Sequence, residues 1–160
     1  MTALIPQDIQ RVEPGYRHVM TLGAAIFWIP FFIGALVLDR FVLADTPFAT
    51  LLPIAVALIG FSGIVYAPGR IYRRLGYAID ARLLRVVRGW LLHVDTVVPF
   101  VRVQHIDVTR GPLDKLFGTA SLVVHTAGTH NSVVTLPGLS PDRANEIRDA
   151  IRAEIRADAE

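Results

Sequence analysis

Four histidines (His93, His105, His125 and His130) and two aspartates (Asp107 and Asp114) are the residues of this chain best equipped for metal or acid–base chemistry. His105 and Asp107 stand two apart in a stretch that reads as a strand, so their side chains share one face. With His125 from a neighbouring strand they would form a histidine–carboxylate metal site. No spacing among them matches a metal signature such as His-Glu-x-x-His, and short His/Asp pairs are common on β-surfaces. The expectation is therefore structural: His105 hydrogen-bonds to tie a strand bulge or the Gly111-Pro112 turn, and no catalytic, cofactor-binding or metal residue is assigned. Nucleophilic hydrolysis has less support still. The chain has no cysteine, no Gly-x-Ser-x-Gly elbow, no P-loop and no Gly-x-Gly-x-x-Gly run. Basic residues are present without interleaved aromatics, which argues against a nucleic-acid platform.

The elements that must position these groups begin with two uncharged apolar runs, Val19–Leu38 and Phe48–Ala67. Twenty helical residues extend about 30 Å, roughly the hydrocarbon thickness of a bilayer. Hydrophobic residues make up 52% of the chain while charged ones still reach 19%, so the apolar excess is local. The first run is too long for a signal-peptide core of ~7–15 residues, and a second follows at once; a cleaved leader is not expected. Arg11 and Arg17 precede the pair and Arg70, Arg73 and Arg74 follow it, whereas the loop Asp39–Pro47 holds only Arg40. The positive-inside rule then puts both termini in the cytoplasm. Thr46-Pro47 reads as the N-cap and first residue of the second helix, and Ala67-Pro68-Gly69 as its end. Pro30 should bend the first helix and Gly60 and Gly63 could allow close helix approach, although ordinary membrane-helix composition is the favoured reading of all three. Neither run contains an Asp, Glu, Lys, Arg or His, as an ion or proton pathway would need.

After Gly69 the pattern turns to β. Runs at Arg73–Ile79, Leu83–Arg88, Leu91–Pro99, Val101–Arg110, Ser121–Thr126 and Ser132–Leu136 alternate with turn signals at about ten-residue spacing. Turns are placed at Asp80-Ala81-Arg82, Gly89, Pro99-Phe100 and Gly128-Thr129. The apolar parity changes between Val103 and Ile106, which predicts a bulge at Gln104-His105. Pro112–Phe117 reads as one helical turn ended by Gly118. Ser140-Pro141-Asp142 caps a final amphipathic helix with Ala144, Ile147, Ile151 and Ile155 on one stripe. Between Gly69 and Gly118 nine Arg/Lys face four acids. Arg70, Arg73, Arg74, Arg82, Arg85 and Arg88 are thus the candidate contacts to a membrane surface or anionic headgroups.

Residues 98–128, VPFVRVQHIDVTRGPLDKLFGTASLVVHTAG, resemble the signature of the bacterial membrane-flanked pleckstrin-homology (PH)-like domain family. The carrying positions are Pro99, Arg102, Val103, Gln104, His105, Gly111, Pro112, Phe117, Gly118, Thr126, Ala127 and Gly128. Two spans followed by one domain is similar to the short, YdbS-type branch. The resemblance implies an α+β membrane protein: a two-helix transmembrane hairpin, then a PH-like split β-barrel capped by a C-terminal α-helix. The expected layout is a cytoplasmic segment at 1–18, the hairpin at 19–67 (spans 19–38 and 48–67), and the PH-like domain at 70–157. Pro99, Arg102, Gln104, His105, Gly111, Pro112, Phe117, Gly118, Thr126 and Gly128 would then be structural. The function it implies is a non-enzymatic adaptor on the cytoplasmic face of a bacterial plasma membrane, with a role in envelope stress. Such an adaptor would bind a protein partner or assemble with itself, without cofactor, nucleic acid or small-molecule substrate. The alternative is a small membrane enzyme or transport component working through His105, Asp107 and His125.

Overall fold

The computed structural model describes residues 9–80, 82–89, 93–127 and 133–157. The chain divides into a helical unit, residues 17–70, and a β-rich unit built from chain on both sides of it.

In the helical unit, α1 (Gly15–Leu38) continues into a wide π-turn over Asp39–Leu43, and α2 runs Leu51–Arg74. Only 6% of the first apolar window and 17% of the second is buried within the protein. A core helix of a soluble domain hides its apolar stripe; these leave Phe27, Ile33, Leu58 and Phe61 more than half exposed. Length and exposure together suit a lipid solvent. Gly60 and Gly63 have a specific use: a Cβ on Gly63 would lie 2.9 Å from Trp28 Nε1, and one on Gly60 3.4 Å from the same side chain. The two glycines form the seat of the Trp28 ring, which corrects their reading as mere composition.

Two expected boundaries move. Thr46-Pro47 does not open α2; the Thr46 hydroxyl donates to the Leu43 carbonyl (2.8 Å), and Asp39 Oδ1 accepts the Thr50 N–H (2.7 Å) just before Leu51. Pro68-Gly69 does not end α2, which continues to Arg74. Proline removes one helical hydrogen bond, but the turn beyond it is fixed by tertiary contacts. Tyr72 donates its hydroxyl to the Val12 carbonyl (3.1 Å), and Leu75 is buried. The strand expected from Arg73 accordingly begins only at Gly76.

The β-rich unit has two antiparallel sheets. The first is ordered β1 (Gln10–Arg11), β2 (Gly76–Asp80), β3 (Leu83–Gly89), β4 (His93–Pro99); the second is β5 (Val103–Thr109), β6 (Ala120–Thr126), β7 (Val133–Leu139). Phe100–Arg102 is a 3₁₀ turn, which takes the first two residues of the strand expected from Val101. The register shift between Val103 and His105 is the bulge that the parity change announced. α3 (Pro112–Phe117) ends at Gly118, whose φ of +67° is the left-handed cap that glycine adopts without strain. In α4 (Pro141–Ala157), Ser140 Oγ accepts the Arg143 N–H (3.3 Å), and Ala144, Ile147 and Ile151 are buried against both sheets.

Sequence reading set residues 1–18 apart from the domain. Instead Gln10 and Arg11 pair with Tyr77 and Gly76, and Val12 enters the core. The Glu13 N–H donates to the Gly138 carbonyl (2.7 Å), and Arg143 of α4 reaches Gln10 Oε1 (3.1 Å). Gly138 has φ +77°, and a Cβ there would lie 2.7 Å from the Tyr16 ring, so both backbone and space require glycine. The helical pair is an insertion between the first two strands of one sheet. Ala81, Leu91, Gly128, Thr129, His130 and Ser132, named in the sequence reading, lie outside the described residues.

Candidate functional site

The three groups singled out for chemistry do meet. His105 and His125 are direct cross-strand partners on β5 and β6, and Asp107 lies two residues along β5 on the same face. His105 Nε2 is 2.8 Å from Asp107 Oδ1 and His125 Nε2 is 3.6 Å from Oδ2, with the two rings 5.9 Å apart. The side chains are 63%, 45% and 39% exposed for His105, Asp107 and His125. One carboxylate is thus shared by two imidazoles on an open sheet face. Among the described residues, no group of three or more His, Cys, Asp or Glu is arranged to hold a metal ion. His93 stands apart at the start of β4.

His105 does not tie the Gly111-Pro112 turn. Asp114 does: its Oδ2 accepts the Gly111 N–H (3.0 Å), its Oδ1 accepts the Thr119 hydroxyl (2.7 Å), and its carbonyl accepts the Thr119 N–H (2.8 Å). Arg110 Nε adds a bond to the Thr119 carbonyl (3.2 Å), and Thr119 is fully buried. Of the residues expected to be structural, Gly111, Pro112, Phe117 and Gly118 belong to this loop. Pro99 ends β4, and the Arg102 carbonyl accepts the Ala127 N–H (2.8 Å), joining the 3₁₀ turn to the chain just past β6. Thr126, the last residue of β6, faces Val103. Gln104 is exposed at the bulge. Asp114, named only for metal or acid–base chemistry, was missed as the tie of this turn, as were Thr119, Tyr16 and Gly138. The spacing Gly-Pro-x-Asp, an acid three residues after a helix N-cap, was the available signal for the first.

The basic residues separate into three environments. Arg70, Arg73 and Arg74 are exposed on the last turns of α2. Arg82, exposed, occupies the β2–β3 turn, and six residues later Arg88 lies at the other end of β3, roughly 20 Å away at strand rise. Arg85 and Arg88 differ in parity and leave opposite faces of β3. Arg85 is committed: its Nε is 2.9 Å from both carboxylate oxygens of Asp95 across the hairpin. That hydrogen bond holds the Asp95 carboxyl below the usual carboxylate range against the opposing effect of burial, with the charge of Arg85 adding to the lowering. Arg88 shares the inward row of Leu84 and Val86, and its Nε is buried without a hydrogen-bond partner among the described residues. It lines a recess of about 260 Å³ with Gly89, Val94, Thr96, Val133 and Val134. The first hairpin therefore presents no single patch of Arg82, Arg85 and Arg88.

Comparison with known proteins fits this architecture. The family model described as "Bacterial PH domain" matches residues 24–155, across the helical pair and the β-rich unit. The UPF0699 transmembrane protein YdbS of Bacillus subtilis (strain 168) is 31% identical over 98 residues. That stretch covers 61% of this chain and 60% of YdbS, so less than two thirds of the relative is spanned. No solved structure matches.

Proposed function

This chain belongs to the bacterial PH domain family, and from that premise we propose that it is a non-enzymatic adaptor displayed on the cytoplasmic face of a bacterial plasma membrane. The helical pair is its anchor. Both termini lie on the cytoplasmic side, because the cations near the helix ends, Arg11 and Arg17 before and Arg70, Arg73 and Arg74 after, outnumber the lone Arg40 of the connecting turn. Arg70, Arg73 and Arg74 contact anionic headgroups there, each worth about 1 kcal/mol near such a surface. Arg82, Arg85 and Arg88 contribute no joint headgroup patch in this reading.

The observation that carries the adaptor role is β4. Among the described residues it ends its sheet and pairs with β3 alone, and it exposes Val94 and Val97 by about half (48% and 50%) beside Val101 at 76%. A free edge flanked by exposed apolar side chains is suited to strand addition by a partner or a second copy. Photo-crosslinkers placed at Val97 and Val101 in intact membranes should trap a discrete protein species. Crosslinkers at Glu154 on α4 should not. Equal trapping from both surfaces, or none from β4, would remove the proposal.

The convergence of His105, Asp107 and His125 favours a second reading, a small membrane enzyme or transport component. It requires stoichiometric metal in detergent-purified protein, or an activity that His105→Ala abolishes without changing stability or assembly.

A further inference from the structure

The recess at Arg88 has a feature that the edge alone does not explain. Arg88 points inward at the end of β3, directly across from Val94 on β4. Among the described residues its Nε–H, shut from water, has no acceptor. A buried guanidinium donor without a partner is costly, and an ionised acceptor meets it better than a neutral one. Among the described residues lining the recess, Arg88 is the one charged group; Val94, Val133 and Val134 are apolar and Thr96 offers a hydroxyl. Val94 and Val133, 48% and 49% exposed, form an apolar rim. Beside it β4, His93 to Pro99, is the end strand of its sheet among the described residues, with its outer side away from β3.

We propose that this recess seats an acidic side chain of an extended segment from a protein partner. The partner's main chain pairs along β4, its apolar side chains meet Val94 and Val133, and an Asp or Glu carboxylate accepts from Arg88. This rests on the adaptor reading and gives it a specific chemistry. A single guanidinium beside one hydroxyl and three valines matches one carboxylate, whose two oxygens fit the guanidinium fork. A phosphate headgroup is matched better by converging cations. Here Arg85 leaves the opposite face and is held by Asp95, while Arg82 sits at the far end of the strand.

The test uses the full chain in phosphatidylcholine nanodiscs. Its probes are extended peptides with one Glu scanned through a Val/Thr-rich background, and the same peptides with Gln. At least one Glu peptide should bind about tenfold or more tighter than its Gln twin, the discrimination expected of a charge-assisted pair. Arg88→Met should erase that preference without lowering the thermal midpoint, since it replaces an orphaned donor by an apolar side chain. Arg88→Lys should restore part of it. Equal binding of Glu and Gln peptides, binding of neither, or a preference that survives Arg88→Met would overturn the proposal. So would displacement of the peptide by phosphatidylglycerol vesicles, which would assign the recess to lipid. If peptides fail while crosslinking from Val97 and Val101 still succeeds, the adaptor stands and this site alone falls.

Discussion

In the helical unit Phe27, Ile33, Leu58 and Phe61 stand more than half exposed, whereas in the β-rich unit Leu84, Leu122, Leu136 and Ile147 are almost wholly buried. Both sets are large and aliphatic or aromatic, and both are stabilised by leaving water. In the first the apolar surface needs a lipid solvent, and within the protein it needs only a few close approaches, such as Trp28 over Gly60 and Gly63. In the second it is satisfied by neighbours, and the fit must then be exact at many points: Gly138 beneath Tyr16, Asp114 around Thr119, Arg143 onto Gln10. Substitutions should therefore act very differently in the two units.

The sharpest contrast is expected at Gly138. Gly138→Ala places a methyl group against the Tyr16 ring and forces an L residue to positive φ. Strain and overpacking together should cost roughly 2–4 kcal/mol. Thermal unfolding in detergent, followed by limited proteolysis, should show the β-rich unit opening early while the helical unit stays protected. At Gly34, where a Cβ meets nothing within 4 Å, the same change should be close to neutral.

Asp114→Ala comes next. It strands the buried Thr119 hydroxyl and the Gly111 N–H, a loss of about 1–3 kcal/mol. Adding Thr119→Val should recover part of that loss, because it removes one stranded donor. Strict additivity of the two changes would show that the hydroxyl is not held by Asp114.

Asp95 marks the small end. Its carboxyl is held below the ordinary carboxylate range by Arg85, so its stabilising contribution is fully present above that range. The contribution is lost as pH falls through the lowered folded value. Asp95→Asn should barely move the melting temperature at pH 7 and should flatten its decline in acid. An exposed pair of this kind contributes little in any case.

Much of this could be read from sequence wherever a local pattern and the tertiary outcome agree. The apolar runs, the bulge at Gln104-His105, the Gly118 stop and the Ala144–Ile147–Ile151 stripe are all carried by spacing along a few neighbouring residues. The end of α2 was misplaced because Pro68 is a local signal, while the continuation to Arg74 depends on Tyr72 and Leu75 finding distant partners. β1 escaped because two residues carry no periodicity, and its partner lies beyond both helices. The arginines were grouped by proximity in sequence, although the alternation of Leu84, Val86 and Arg88 against Arg85 already separated them by face. The meeting of His105 with Asp107 followed from strand period; that it would be open to solvent, and that Asp114 would hold the neighbouring turn, did not.

The central claim is that one β-rich domain is assembled from chain on both sides of an inserted pair of membrane helices. Hydrogen exchange on the full protein in lipid nanodiscs tests it most directly. The amide of Glu13, which donates to the Gly138 carbonyl, should be protected to the same order as those of β2 and β3, and should lose protection together with them in Gly138→Ala. Exchange of Glu13 at the rate of an unstructured peptide, with β2 and β3 still protected, would contradict it.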